Sequence, residues 1–190
     1  MTFDMRLTSL RASLARNNMH LALSAMAFAE KYHTGRRKDG SHEFSHQVEM
    51  AGMILASPHS SEREDVLAVS FLHDVPEDYG VSDQEISSRF GAVISHRVAL
   101  LDKTRNPFAR IATDPISAIV KGYDRRHNLS TMRGAFSDCK QSEYRFETAS
   151  KVLPMLLYAL RRHPRYKTEI SHVIAGIDRL LSPASALALA

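Results

Sequence analysis

The sequence predicts an all-α fold, a single domain of several helices, and three observations carry that expectation. Nearly every long segment spaces its apolar residues three and four apart, and none shows convincing period-two alternation. Glycine, proline and asparagine punctuate the chain at about one helix length. Finally, 190 residues with 44% hydrophobic and 24% charged content are enough for one sizeable core.

Residues 7–32 place Leu10, Leu14, Leu21, Ala25 and Phe28 at helical spacing, as two helices broken near Asn17-Asn18. Residues 35–40 form a basic loop bounded by Gly35 and Gly40. A helix over 45–55 stops before Pro58, and Ser61-Glu62-Arg63-Glu64 matches a capping box for the next, which runs through Val66, Val69 and Phe71 to His73. Pro76 lacks an N–H and disfavours helical geometry at Val75, so this helix is expected to end or kink there, leaving Glu77 and Asp78 on a turn over its end. Two further helices are expected over 82–90 and 92–101, then a loop over 106–114. Pro115 begins a helix carrying 116–132, and helices over 143–162 and 166–181 complete the domain. The small-residue stretch 182–190 reads as a frayed end or weak packing strip. With no repeat, low-complexity tract or linker, residues 1–190 read as one domain.

The formal charge is only +4, and the basic residues are divided among Arg36-Arg37-Lys38, Arg125-Arg126 and a segment from Arg161-Arg162 to Lys167. A nucleic-acid partner is therefore not expected. Cys139 is the sole cysteine, which excludes an intramolecular disulfide and a multi-cysteine zinc site and makes a reducing cytoplasm the expected compartment. The N-terminus lacks an apolar signal core and no segment is long enough to span a bilayer, so no membrane association is expected. Oligomeric state leaves no signature.

Chemistry concentrates in Phe71-Leu72-His73-Asp74-Val75-Pro76-Glu77-Asp78. An imidazole and a carboxylate in adjacent positions suit one cation, and Glu77 and Asp78 follow at four-residue offsets as candidate acid/base groups. His46 and Asp124, the latter with Asn128 four residues on, complete a set of two histidines and two carboxylates. Such mixed donors suit manganese, iron or zinc, any of which would lower the pKa of a bound water. His20, His33, His42, His59, His96, His163 and His172 are read as structural or surface residues.

The joint order His…His-Asp…Asp resembles the HD-domain phosphohydrolase superfamily. Within it, His-Asp-x-x-Glu-Asp at 73–78 is similar to the hydrolase motif of the Rel/Spo-type alarmone enzymes and the stand-alone small alarmone hydrolases. Arg37-Lys38-Asp39-Gly40 with Phe44 and His46 resembles their Arg-Lys-x-Gly…Tyr-x-x-His-Pro signature. Lys121-Gly122-Tyr123-Asp124-Arg125-Arg126-His127-Asn128, with Thr131 beyond, resembles their Lys-x-x-Asp-Arg-x-His-Asn-x-x-Thr segment.

The resemblance implies an all-α HD-domain and a manganese-dependent hydrolase, other divalent metals remaining open. It would release pyrophosphate from the ribose 3′ position of guanosine alarmones, taking ppGpp or pppGpp to GDP or GTP. By matching position, His46, His73, Asp74 and Asp124 would hold the metal, while Glu77 and Asp78 would steer the attacking water and its protons. Arg37 and Lys38 would face the nucleotide, Asn128 and Thr131 its ribose and base, and Tyr144 or Arg145 would complete the nucleotide wall. Residue chemistry points the same way: a guanidinium fork and an ammonium on a glycine-bounded loop suit polyphosphate, and an uncharged amide suits a ribose hydroxyl. Gln47, Phe44 and Pro76 depart from the family pattern, where proline, tyrosine and a branched apolar residue are usual. The same fold acting on an adenosine alarmone, on the 2′-phosphate of NADPH or on another nucleotide is the alternative, as is a non-catalytic nucleotide-binding domain. A synthetase domain is not expected within a chain ending at Ala190.

Overall fold

The computed structural model describes residues 2–37, 40–58, 62–102, 104–133 and 135–182. Among them every regular element is a helix, as the apolar spacing predicts, and the nearest approach to a sheet is one isolated bridge between Arg36 and His42 in the basic loop.

Helices α1 (Phe3–Arg16) and α2 (His20–Glu30) are separated at the expected asparagines. Asn18 takes a left-handed φ of 54°, which asparagine tolerates better than most residues. Thr2 caps α1, its hydroxyl accepting from the Met5 N–H at 3.3 Å, and Leu7, Leu10 and Leu14 turn inward. The start of α2 has no local cap. Its Leu21 N–H donates instead to Glu64 Oε1 at 2.7 Å, from a residue 43 positions away.

That contact changes the reading of the capping box. Ser61 lies outside the described residues, Glu62 at the N-cap of α4 (Arg63–Leu72) makes no side-chain cap bond, and Glu64 serves another helix. Within α4, every residue from Val66 to Leu72 is buried, because α2, α3 (Ser45–Ala56), α7 (Ala92–Leu101) and α9 (Pro115–Thr131) all pack on it. An apolar run without a polar face becomes the central helix.

Pro76 behaves differently from expectation. The central helix already stops at Leu72, and Pro76 sits in the first turn of a new short helix, α5 (Val75–Tyr79), where a missing N–H costs nothing. Gly80 closes it at φ 67°. Glu77 and Asp78 therefore ride on a helix that starts immediately after Asp74, not on a turn.

Ser82 caps α6 (Asp83–Phe90), and Asp114 caps α9, its carboxylate accepting from the Ser117 N–H at 2.8 Å with Pro115 as the first helical residue. The expected loop 106–114 contains a short helix, α8 (Phe108–Ile111). The helix expected over 143–162 begins earlier and widens midway: α10 (Asp138–Glu147) passes through a π-helical segment (Thr148–Val152) into α11 (Leu153–Arg162). Pro154, next to that segment, has no N–H to offer an ordinary α-helical bond. Helix α12 (Lys167–Leu181) crosses α9 so closely that a Cβ on Gly122 would fall 2.3 Å from Val173 Cγ1. Among the described residues no helix is long and apolar enough to cross a membrane.

Candidate metal centre

Three helix segments converge on one buried cluster. His46 is the second residue of α3, His73 caps the C-terminus of the central helix with Asp74 directly after it, and Asp124 lies in the middle of α9. Donor atoms of His46, His73 and Asp124 all lie within 4.8 Å of one another. His46 Nε2 is 3.4 Å from Asp124 Oδ1 and 4.0 Å from Asp74 Oδ2; His73 Nε2 is 3.0 Å from Asp74 Oδ2 and 4.0 Å from Asp124 Oδ1.

The two imidazoles are oriented from behind. His73 Nδ1 donates to the Ser70 carbonyl at 2.8 Å, so Nε2 is the nitrogen left to face the cluster, and it carries a lone pair once the ring is neutral. That Nε2 is buried and makes no hydrogen bond among the described residues. An orphaned imidazole nitrogen beside two carboxylates is the signature expected where a cation belongs. On that test the donor set fits a divalent metal, with nitrogen and oxygen ligands that do not choose between manganese, iron and zinc.

The charges respond to this crowding. Burial opposes a charge on His73, but the Asp74 and Asp124 carboxylates overcome it and push its pKa up to about 9 in the metal-free chain. Its proton stands where a cation would. Burial also works against ionised Asp74, yet the His73 imidazolium holds it down to about 2. Asp124 is held well below the usual carboxylate range, against burial, by Lys121 and the two histidines. His46 is depressed, burial outweighing the same carboxylates.

Several neighbours that sequence reasoning left without a role support these groups. Lys121 Nζ bonds Asp124 Oδ2 at 3.0 Å. His127 Nδ1 lies 2.9 Å from His46 Nδ1, and its Nε2 lies 2.9 Å from Glu49 Oε2. Gln47, standing where the family usually has proline, is buried with its amide 2.9 Å from His33 Nε2 and 3.5 Å from Asp74 Oδ2, so the departure adds a donor beside a candidate ligand. His33 is the satisfied structural histidine expected, its Nδ1 donating to the Ala29 carbonyl at 2.8 Å. Phe44 is fully buried near Phe71, a position with no need of a tyrosine hydroxyl. Lys121 and His127 were within reach of sequence reading, as they lie three residues from Asp124; Glu49 meets His127 across 78 positions and left no local signal.

The remaining candidates are distributed around the cluster. Glu77 and Asp78 follow the Asp74 turn, where the Asp78 N–H donates to the Asp74 carbonyl at 2.9 Å; Glu77 is half-buried and Asp78 exposed. Asn128 reaches Asp124 Oδ1 at 2.6 Å, so its amide holds a candidate ligand as well as bordering the site. The Thr131 hydroxyl donates back to the His127 carbonyl at 3.1 Å. Arg37 is half-buried on the basic loop and its charge helps depress Glu49, after the larger effect of the His127 hydrogen bond; Lys38 lies outside the described residues. Tyr144 faces the site, stacked under the Arg125 guanidinium at 3.9 Å, its phenol pushed up by burial and by Asp124. Arg145 does not: it donates to the Leu180 carbonyl at 2.9 Å.

Residues 25–107 match the HD domain family model, which takes in His46, His73 and Asp74 and stops short of Asp124. Among curated proteins the chain is 32% identical over 152 residues to a probable guanosine-3′,5′-bis(diphosphate) 3′-pyrophosphohydrolase of Synechocystis sp., covering 71% of this chain and 20% of that protein. It is 28% identical over 142 residues to the GTP pyrophosphokinase rsh of Brucella melitensis, covering 66% and 18%. With a probable GTP pyrophosphokinase of Mycobacterium leprae it shares 25% over 189 residues, covering 84% and 23%. The chain thus spans about a fifth of the length of the curated relatives it matches. With the matched segment, these relatives and the clustered histidines and aspartates taken together, the chain carries an HD domain and resembles the HD-domain phosphohydrolases of the Rel/Spo type.

Proposed function

We propose that this chain acts as a single hydrolase domain in the cytoplasm, releasing pyrophosphate from the ribose 3′ position of ppGpp or pppGpp, with a divalent cation, Mn2+ first, held by His46, His73, Asp74 and Asp124. The observation that carries this reading is the buried trio His46, His73 and Asp124 beside half-buried Asp74, with an orphaned His73 Nε2, immediately followed by a short helix bearing Glu77 and Asp78. A bound cation would supply an activated water and neutralise charge at phosphorus.

The chain's own groups do the rest. Glu77 and Asp78 take the proton released as water attacks phosphorus and return one to the ribose 3′-oxygen as its bond to phosphorus breaks. Arg37 and Lys38 hold phosphate oxygens from the basic loop. A cavity of about 460 Å³ lined by Lys121, Arg125 and Lys151, with Glu147 as its acid, borders Asp124 through Lys121 and offers cationic space for a polyphosphate arm. Asn128 and Thr131 border the ribose and base, and Tyr144 forms part of the wall.

Purified protein with Mn2+ is offered ppGpp, pppApp, NADPH and GMP side by side, with pyrophosphate and phosphate release quantified. The expected result is pyrophosphate plus GDP from ppGpp, abolished by chelation. Glu77→Ala should retain Mn2+ and lose about 10²-fold or more in turnover. Preferential cleavage of pppApp or NADPH would overturn the substrate assignment, and full activity of Glu77→Ala would overturn the role of that carboxylate.

A further inference from the structure

His46 and His73 are oriented by different means. His73 gives its Nδ1 proton to a backbone carbonyl of its own helix, which no side-chain substitution removes. His46 faces another imidazole, and two identical ring nitrogens 2.9 Å apart do not by themselves say which carries the proton. The far side of His127 decides it. There Nε2 lies 2.9 Å from Glu49 Oε2, and an ionised carboxylate only accepts, so His127 carries its proton on Nε2. In the neutral ring its Nδ1 is then the lone pair, so His46 donates from Nδ1 and its own Nε2 is left as a lone pair turned toward Asp124 and Asp74. Both rings are at least nine-tenths buried, and their planes meet at 76° with centroids 4.6 Å apart. The Glu49 carboxylate is fixed in turn: its Oε1 pairs with Arg6 Nη1 at 3.0 Å, which ties the chain of contacts to α1.

We infer that Glu49 and His127 are positioning residues that set the tautomer of His46 and hold its Nε2 ready for a metal ion. This rests on the metal-site reading above and assigns roles to two residues outside the ligand and acid sets. The usual arrangement gives a ligating histidine a carboxylate or carbonyl partner directly, and losing such a partner typically costs about 10–100-fold in metal affinity. Here an imidazole is interposed, so the carboxylate can sit at the half-buried surface, against α1, while the ligand stays in the core.

Two measurements on the full chain test this. In the metal-free wild type near neutral pH, nitrogen-15 shifts of the histidine rings should place the His46 proton on Nδ1 and the His127 proton on Nε2. Titration with Mn2+ alone should then show His127→Leu binding about 10–100-fold more weakly than wild type. His127→Asn, which keeps an acceptor oxygen close to the Nδ1 position, should recover most of that loss, as a merely space-filling role would not. Thermal melts check that each variant folds, and if His127→Leu does not, the wild-type ring shifts still decide. A His46 proton on Nε2, or wild-type Mn2+ affinity in folded His127→Leu, would overturn the inference. A wild type with the expected tautomers that takes up no divalent cation would instead sink the metal-site reading.

Discussion

At the residue scale, the site is an arrangement of opposed charges awaiting a countercharge. His73 shows this most plainly, because its proton does in the metal-free chain what a cation would do better. Its pKa is raised from 6.5 to about 9, so its ionic contribution to stability is complete below about pH 6.5 and is lost as pH rises through about 9. Asp74 has the opposite sign: held down to about 2, it contributes above its ordinary pKa of 3.8 and loses that contribution as pH falls through about 2. A metal needs His73 neutral, so binding Mn2+ near neutral pH should release about one proton, measurable by calorimetry in buffers of different ionisation enthalpy. The gain in melting temperature from Mn2+ should grow between pH 7 and 9; a gain independent of pH would contradict a protonated His73. That the four groups meet was legible because His73 and Asp74 are adjacent and His46 and Asp124 each fall in a recognisable segment. The support behind them was not. Glu49 and Gln47 acquire their roles only when α3 is laid against α9 and the turn after the central helix.

At the element scale, the position of Asp124 depends on how closely α9 and α12 approach. Gly122, two residues before Asp124, is the point of contact, and a methyl group there would sit 2.3 Å from Val173 Cγ1. Gly122→Ala should therefore destabilise the protein by about 1–3 kcal/mol despite the better helix propensity of alanine. Pairing it with Val173→Ala should recover part of the loss in a denaturant titration; a Gly122→Ala protein as stable as wild type would show that the two helices can separate freely. Helix existence was readable from apolar spacing almost throughout, whereas beginnings and ends were less so. The Asn17-Asn18 break and the Pro115 start followed from local chemistry. Glu64 escaped because its partner is a distant backbone N–H, and Pro76 misled because a proline can open a helix as readily as close one.

At the scale of the whole molecule, an apolar central helix delivers its polar C-terminal end, His73 and Asp74, to the place where α3 and α9 supply His46 and Asp124. The all-α architecture was legible in sequence because it needs only periodicity. The electrostatic design was not, since burial of a carboxylate beside an imidazole is a property of packing, not of spacing. The central claim is that these four side chains hold one divalent cation. Crystals grown with Mn2+ and measured at a wavelength where manganese scatters anomalously test it most directly. The account predicts a single strong anomalous peak among His46, His73, Asp74 and Asp124, absent from Asp124→Ala crystals; a peak elsewhere, or none at saturating Mn2+, would contradict it.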